Sequence, residues 1–394
     1  MKYIIYSLTL YSIVAWFILL RGLGLHQSPA MSNYYIIFVF ILDLLSIAYS
    51  IYDIVKKKRV SNAHIFAFFL TIVFTLLIPQ PQDNYLIKMF LAFGIAPMFI
   101  AADIVTNHSI AQLVKWVKLL SQIFAIIIVL SLDTIILGGF GDNDYSQSLS
   151  YFSGISFGLI LYTYLFPSQE TDFSFYKYKL FRYFMLGQMF MLVIIALISG
   201  GRGGTLLVII SAIIAFSFYI KSNRDTFRKN IYKVFIPIVL VCVLYNFLPT
   251  SITDLISKGS ERTFSYISRD GIDMTETSDR DLVYSDAISM IKESQLSGHG
   301  IYRYYDKFHN YPHNFFLEVL MQGGIIYLML WSIVLCYIFY KWFAVLRNSE
   351  SNKFVLMMTL YPIVFLMFSS TYMSVSLFWF LLVYFLFQKY ESIN

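Results

Sequence analysis

Apolar runs of about 17 to 25 residues recur along almost the whole chain, and each is long enough to cross roughly 30 Å of hydrocarbon. The short alternating strands of a membrane β-barrel are absent, so the runs predict helices and the fold class is an all-α integral membrane protein. At about 20 residues per crossing the count comes to about twelve transmembrane helices. They centre near Val14, Leu42, Thr71, Phe93, Ala125, Phe157, Leu192, Ile210, Val239, Leu328, Leu360 and Leu381. One long polar stretch interrupts the pattern. The chain is therefore expected to divide into helices 1–9 over residues 1–249, a partly helical extracytoplasmic loop over 250–312, and helices 10–12 over 313–394. The first run is expected to be retained, since only Lys2 precedes it and Arg21-Gly22-Leu23-Gly24 offers no small-x-small cleavage site.

Composition agrees with this picture: 394 residues with 58% hydrophobic, 19% aromatic and 13% charged residues and a mean hydropathy of +0.67 are far too apolar for a soluble domain. Charge sets the expected orientation. With the N-terminus in the cytoplasm, Lys56-Lys57-Lys58-Arg59, Lys177/Lys179/Arg182, Lys221/Arg224/Arg228/Lys229 and Lys341/Arg347/Lys353 all fall inside, as does the C-terminus. The formal +6 is thus a topology signal spread over short loops, and it does not indicate nucleic-acid binding. Cys242 and Cys336 lie within predicted helices and suit neither a disulfide nor a metal site. No nucleotide-binding loop and no clustered His/Cys ligands are present, so no metal or cofactor is expected.

The loop is expected to fold, because Leu282, Val283, Ile288, Met290 and Ile291 read as a short amphipathic helix. Candidate chemistry gathers on its side of the membrane. Ser199-Gly200-Gly201-Arg202-Gly203-Gly204 joins the seventh and eighth spans; Gly201 and Gly203 would let the backbone approach a ligand, and Arg202 offers a planar fork for a diphosphate. The same string also suits a helix hairpin with a snorkelling arginine. Arg280 stands between aspartates, which fits a solvated ion pair as well as a binding group. Lys88, at the outer end of the fourth span, could contact a lipid diphosphate or snorkel to the interface. Asp43 lies mid-span and should be paired within the bundle.

Tyr311-Pro312-His313-Asn314 closes the polar stretch and opens an apolar helix ending in Gly323-Gly324. The partial positive charge of a helix start disfavours a protonated imidazole, so His313 is expected at the membrane surface as a general base. Glu318 stands one turn after Asn314, where the two could hydrogen-bond, while His299 and His309 look like ordinary loop residues.

The strings Ser199 to Gly204, Ser278-Asp279-Arg280, Gly298-His299-Gly300 and Pro312-His313-Asn314 to Gly323-Gly324, in this order and spacing, resemble the O-antigen polymerase and O-antigen ligase superfamily over roughly residues 190–335. Two departures stand out. Leu282-Val283-Tyr284 occupies the stretch where a Trp often follows the loop Arg, and Gln322 stands where a Glu is common. The resemblance implies an architecture like that of the GT-C membrane glycosyltransferases and inverting, metal-independent transfer of sugars from undecaprenyl diphosphate. By position, Arg202 and Arg280 would hold the diphosphate and His313 would activate the acceptor hydroxyl.

The first expectation is therefore a polymerase of lipid-linked repeat units, acting on the outer face of a bacterial inner membrane. Its donor and acceptor would both be undecaprenyl-diphosphate-linked glycans, with a chain-length regulator as a protein partner. The alternatives are the ligase that moves finished glycan to lipid A-core and, in a different class, a twelve-helix lipid-glycan flippase. Transporters usually show two similar halves with midplane sites, whereas the polar groups here collect in the C-terminal half.

Overall fold

A computed structural model of the chain describes residues 1–12, 31–79, 85–130, 145–167, 173–199, 201–222, 243, 246–264, 267–268, 271–272, 280–345 and 350–388. In chain order the helices are α1 (Lys2–Leu10), α2 (Met31–Lys57), α3 (Asn62–Ile72, continued by a π turn), α4 (Tyr85–Phe93), α5 (Ile95–Asn107), α6 (Ile110–Leu130), α7 (Tyr145–Leu165) and α8 (Lys179–Ile198). There follow α9 (Arg202–Ser222), α10 (Thr250–Phe264), α11 (Arg280–Glu293), α12 (Arg303–Phe308), α13 (Phe315–Val345), α14 (Glu350–Phe368) and α15 (Ser376–Phe387). A two-residue antiparallel pair, Ile267–Ser268 with Gly271–Ile272, is the strand structure among the described residues.

Among the described residues, seven helices are long and apolar enough to cross a membrane: Tyr34–Lys57, Tyr85–Asn107, Ile110–Leu130, Lys179–Ile198, Arg202–Ser222, Phe315–Trp342 and Glu350–Phe368. The runs near Thr71, Phe157 and Leu381 form shorter apolar helices, Asn62–Leu77, Leu149–Leu165 and Ser376–Phe387. Those near Val14 and Val239, and Cys242, lie outside the described residues.

The chain folds as two compact units, one of Met1–Trp16, His26–Leu113 and Thr277–Asn394, the other of Phe17–Leu25 and Val114–Glu276. The polar stretch 250–312 is divided between them. In the first unit α5 is the central helix, packed by α1, α2, α3 and α15. Aromatic rings fill its core: Phe74 stacks on Phe90 at 5.0 Å, and the buried Trp379 meets both rings edge-on. A polar knot ties the helix ends. Lys2 Nζ lies 2.6 Å from both Asp53 Oδ2 and Asp103 Oδ2, and Tyr6 and Asn107 donate to the Asp103 carboxylate at 3.2 and 2.7 Å. Asp43 departs from expectation. It is buried, and neither of its oxygens has a hydrogen-bond partner among the described residues.

In the second unit α7 packs against α8 and α9 at backbone distance. A Cβ on Gly204 would fall 2.0 Å from Ser150 Oγ and 2.4 Å from the Ser150 carbonyl carbon, and one on Gly154 would fall 2.6 Å from the Gly204 oxygen. Small residues at such a crossing allow the close approach on which association in lipid depends. Beside it, Ile256 of α10 packs on Phe190, Ile194 and Ile198 of α8.

The helix α13 is not one straight rod. Phe315 and Trp331 would stand about 24 Å apart on a straight helix at 1.5 Å per residue, yet their ring centroids are 5.6 Å apart. The backbone reverses at Gly323 and Gly324 (φ 61, ψ −158), so Phe315–Gln322 forms a short arm folded against the following helix. The segment 295–300 closes the reversal. His299 and Gly300 donate their N–H groups to the carbonyls of Met321 and Gln322, both at 2.8 Å, and Ile325 and Ile326 donate to the carbonyls of Gln295 and Leu296 at 2.8 and 3.3 Å.

Two substitutions test this packing. Lys2→Met leaves two close carboxylates without their ammonium and is expected to cost about 3 kcal/mol of stability, seen as earlier thermal unfolding of the purified protein; an unchanged Tm would show that the knot holds nothing. Gly204→Ala must push apart two helix backbones, and the yield of folded protein is expected to fall well below that of an Ala at Gly187, where the added methyl meets nothing within 4 Å.

Candidate functional site

In the second unit the Arg202 turn is built by helix capping. The Gly201 carbonyl accepts the N–H groups of Gly204 and Thr205 at 3.0 and 3.3 Å and the Ser150 hydroxyl at 3.0 Å, which fixes the start of α9. Arg202, half-buried, is the first residue of that helix. The glycines have a different use from the one expected: the space beside Gly203 is taken by the Tyr151 ring, 2.2 Å from where a Cβ would be, and Gly204 meets Ser150. They serve the crossing with α7, so the open backbone expected of Gly203 is filled by protein.

The first unit holds His313, Asn314, Glu318, Lys88 and the helix that Arg280 opens. The Arg280 side chain lies outside the described residues. Of the helix it opens, α11, Ala287 and Met290 face inward while Leu282 and Ile288 are exposed, so the helix forms as predicted with its buried face turned. Lys88 is exposed on α4, one turn after Tyr85, whose ring stacks on Tyr305 at 5.6 Å. The helix carrying Lys88 packs on the 3₁₀ turn Tyr372–Ser374.

His313 adopts a left-handed backbone (φ 51) just before the short arm. Its ring lies edge-on to Tyr311 at 4.7 Å, and the N–H of Ser370 donates to its Nδ1 at 3.3 Å. Asn314 is the cap: its Oδ1 accepts from the N–H groups of Phe316 and Leu317 at 3.0 and 3.2 Å. Asn314 and Glu318 meet through the backbone, the Glu318 N–H donating to the Asn314 carbonyl at 3.0 Å, while the Glu318 carboxylate bonds elsewhere. The arm is about 12 Å long at 1.5 Å per residue, and His313 stands at its far end from the glycine reversal. The next residue but one, Phe315, folds back beside Trp331.

Glu318 is fully buried in a network that the linear sequence does not display. Its Oε1 accepts from Thr371 Oγ1 at 2.6 Å, Tyr304 OH at 2.9 Å and Gln322 Nε2 at 3.2 Å, while Tyr372 OH donates to Gln322 Oε1 at 2.6 Å. Burial and the Glu318 carboxylate hold the Tyr304 phenol well above its ordinary pKa, and burial with Tyr327 and Glu318 does the same at Tyr372. Both phenols stay protonated donors. Ser370, Thr371 and Tyr372 carry no motif; only the polarity of Ser369-Ser370-Thr371 between two apolar runs marks them.

His299 and His309 are structural. The ring Nε2 of His299 bonds to the Met290 carbonyl at 2.7 Å, and His309 ends α12 in the left-handed conformation. No group of three or more His, Cys, Asp or Glu side chains placed to hold a metal occurs among the described residues.

Residues 188–332 match the family model described as O-antigen ligase. No curated protein and no solved structure matches the chain. The matched stretch runs from α8 through the Arg202 turn and the His313 arm into the crossing part of α13. Over that stretch, in a chain with several helices long and apolar enough to cross a membrane, the protein is similar to the O-antigen ligase family.

Proposed function

We propose that the protein is a glycosyltransferase that polymerises undecaprenyl-diphosphate-linked repeat units, transferring the growing glycan from its lipid diphosphate to an incoming lipid-linked unit. The observation that supports glycosyl transfer, common to polymerase and ligase, is where the family match falls: it takes in the Arg202 turn, α11, the segment that closes the glycine reversal and the His313 arm. Displacement of a diphosphate from an anomeric carbon needs donors and positive charge on the departing oxygens. On this reading Arg202 and Arg280 supply planar forks and Lys88 a point charge for the diphosphate, and His313 activates the acceptor hydroxyl. Gly201, Asn314 and Glu318 support these groups through the contacts above. The reaction takes place on the outer face of a bacterial inner membrane, with a chain-length regulator as partner.

The matched family, that of O-antigen ligase, favours a second reading, the ligase that moves finished glycan to lipid A-core. The two share one displacement and differ in acceptor. A strain lacking the protein is expected to accumulate single-repeat glycan; full-length glycan stranded on undecaprenyl diphosphate would establish the ligase instead.

Arg202→Lys keeps the charge but loses the fork, so it is expected to impair transfer nearly as much as Arg202→Ala, by about 10²-fold or more. Normal activity of the Ala variant at normal protein level would remove Arg202 from the site. For orientation, cysteines placed at Ser285 and Ser294 should react with a membrane-impermeant thiol reagent in spheroplasts while one at Ser222 does not. The reverse pattern would overturn the outer-face assignment.

A further inference from the structure

Three tyrosines crowd one short stretch of the polar segment, and their rings have different uses. Tyr302 is buried and donates its phenol O–H to the Phe74 carbonyl, in the π turn Val73–Leu77, at 2.7 Å. Tyr304 is buried and donates to Glu318 Oε1 on the His313 arm at 2.9 Å. These two bonds pin α12 at two places and leave Tyr305, half-buried, against Tyr85 of α4. The two rings stack at 5.6 Å with 19° between their planes, so Tyr305 backs one face of Tyr85. Tyr85 remains 38% exposed.

The pair lies at the end of its unit that holds His313. The helix α4 packs on the turn Tyr372–Ser374, two residues beyond Ser370, whose N–H donates to His313 Nδ1. Its surroundings are polar: Lys88 is exposed one helical turn after Tyr85, and Arg303 and Asp306 are exposed on α12 to either side of Tyr305 in the sequence. A flat aromatic face held rigid from behind, with donors and an acceptor near it, suits a sugar. A pyranose ring presents an apolar face of C–H bonds and an edge of hydroxyls, and burying those hydroxyls requires hydrogen-bond partners. Tyrosines also sit at membrane interfaces, but an acyl chain has no use for charged groups beside the ring.

We propose that the open face of Tyr85, backed by Tyr305, is a carbohydrate platform on which a pyranose of the lipid-linked glycan stacks. The proposal rests on the glycosyl-transfer reading, and it adds a binding residue that lies outside the matched stretch 188–332. With Lys88 one turn of α4 away, about 5.4 Å along the helix axis, the stacked sugar is one close to the diphosphate. Arg303 and Asp306 take its hydroxyls. The platform holds the glycan before and during transfer alike, so it acts on KM and leaves kcat nearly unchanged.

The test uses full-length protein in lipid nanodiscs and, as probe, the free oligosaccharide cut by mild acid from the host's own lipid-linked repeat unit. Saturation-transfer NMR reads which sugar protons touch the protein. Transfer to the ring C–H protons of one pyranose is expected with the wild type and with Tyr85→Phe, which keeps the ring. Tyr85→Ala and Tyr85→Leu, the latter of similar bulk but without an aromatic face, are expected to bind about tenfold more weakly. With purified lipid-linked substrate, Tyr85→Leu is expected to raise KM by a similar factor. No saturation transfer with the wild type, or undiminished binding in both variants, overturns the platform. A wild-type KM in Tyr85→Leu overturns it too and leaves the glycosyl-transfer reading intact. Wild-type protein that binds the oligosaccharide through Tyr85 yet transfers no lipid-linked glycan would sink that reading and keep Tyr85 as a glycan contact.

Discussion

A helix that turns back on itself in apolar surroundings strands the carbonyls of one arm and the N–H groups of the next, and no water is at hand to take them. The structure meets this constraint at Gly323–Gly324 by laying the backbone of 295–300 across the turn, so that two carbonyls and two N–H groups of the reversal find partners there. The fit leaves no room for side chains. A Cβ on Gly324 would fall 2.4 Å from the Leu296 carbonyl carbon, and one on Gly298, itself at φ 62, would fall 2.5 Å from the Gln322 carbonyl carbon. The arm that follows His313 depends on this closure, because it is what folds the arm back and sets Phe315 beside Trp331.

Once the arm is folded, its polar side chains must also be satisfied without solvent. Two carboxylates at i and i+4, buried together, would repel each other. Gln322 in place of a second acid avoids this: its amide donates to Glu318 and its carbonyl accepts from Tyr372. The departure from the family pattern thus makes one connected network in which Tyr304, Thr371 and Gln322 all converge on one carboxylate oxygen. Such a network rigidifies when satisfied, which suits a scaffold holding two strained residues, His313 and Ser370, face to face. Its remaining oxygen, Glu318 Oε2, has no partner among the described residues and is the weak point.

The Arg202 turn follows another logic. Its glycines admit a neighbouring helix, and the cap that results leaves Arg202 at a fixed helix start. A packing requirement and the chemical role proposed for Arg202 therefore fall on one six-residue string, and the string alone could not separate them.

The sequence by itself determined the membrane class and most of the helices, because length and apolarity suffice to specify a segment that must bury its own backbone bonds in lipid. It also marked Arg202, His313, Asn314 and the Gly323-Gly324 end of the arm, since turn, cap and reversal residues are dictated by local backbone chemistry. It could not display the reversal itself, the use of Gly203 and Gly204 as a helix crossing, the turned face of α11, or the Ser370–Thr371 turn. Each of these is a choice of which atoms meet across many residues, and periodicity carries no information about that. Only the tertiary structure decided that the nitrogen of His313 facing the protein is the acceptor, because that assignment belongs to a backbone N–H 57 residues further along the chain.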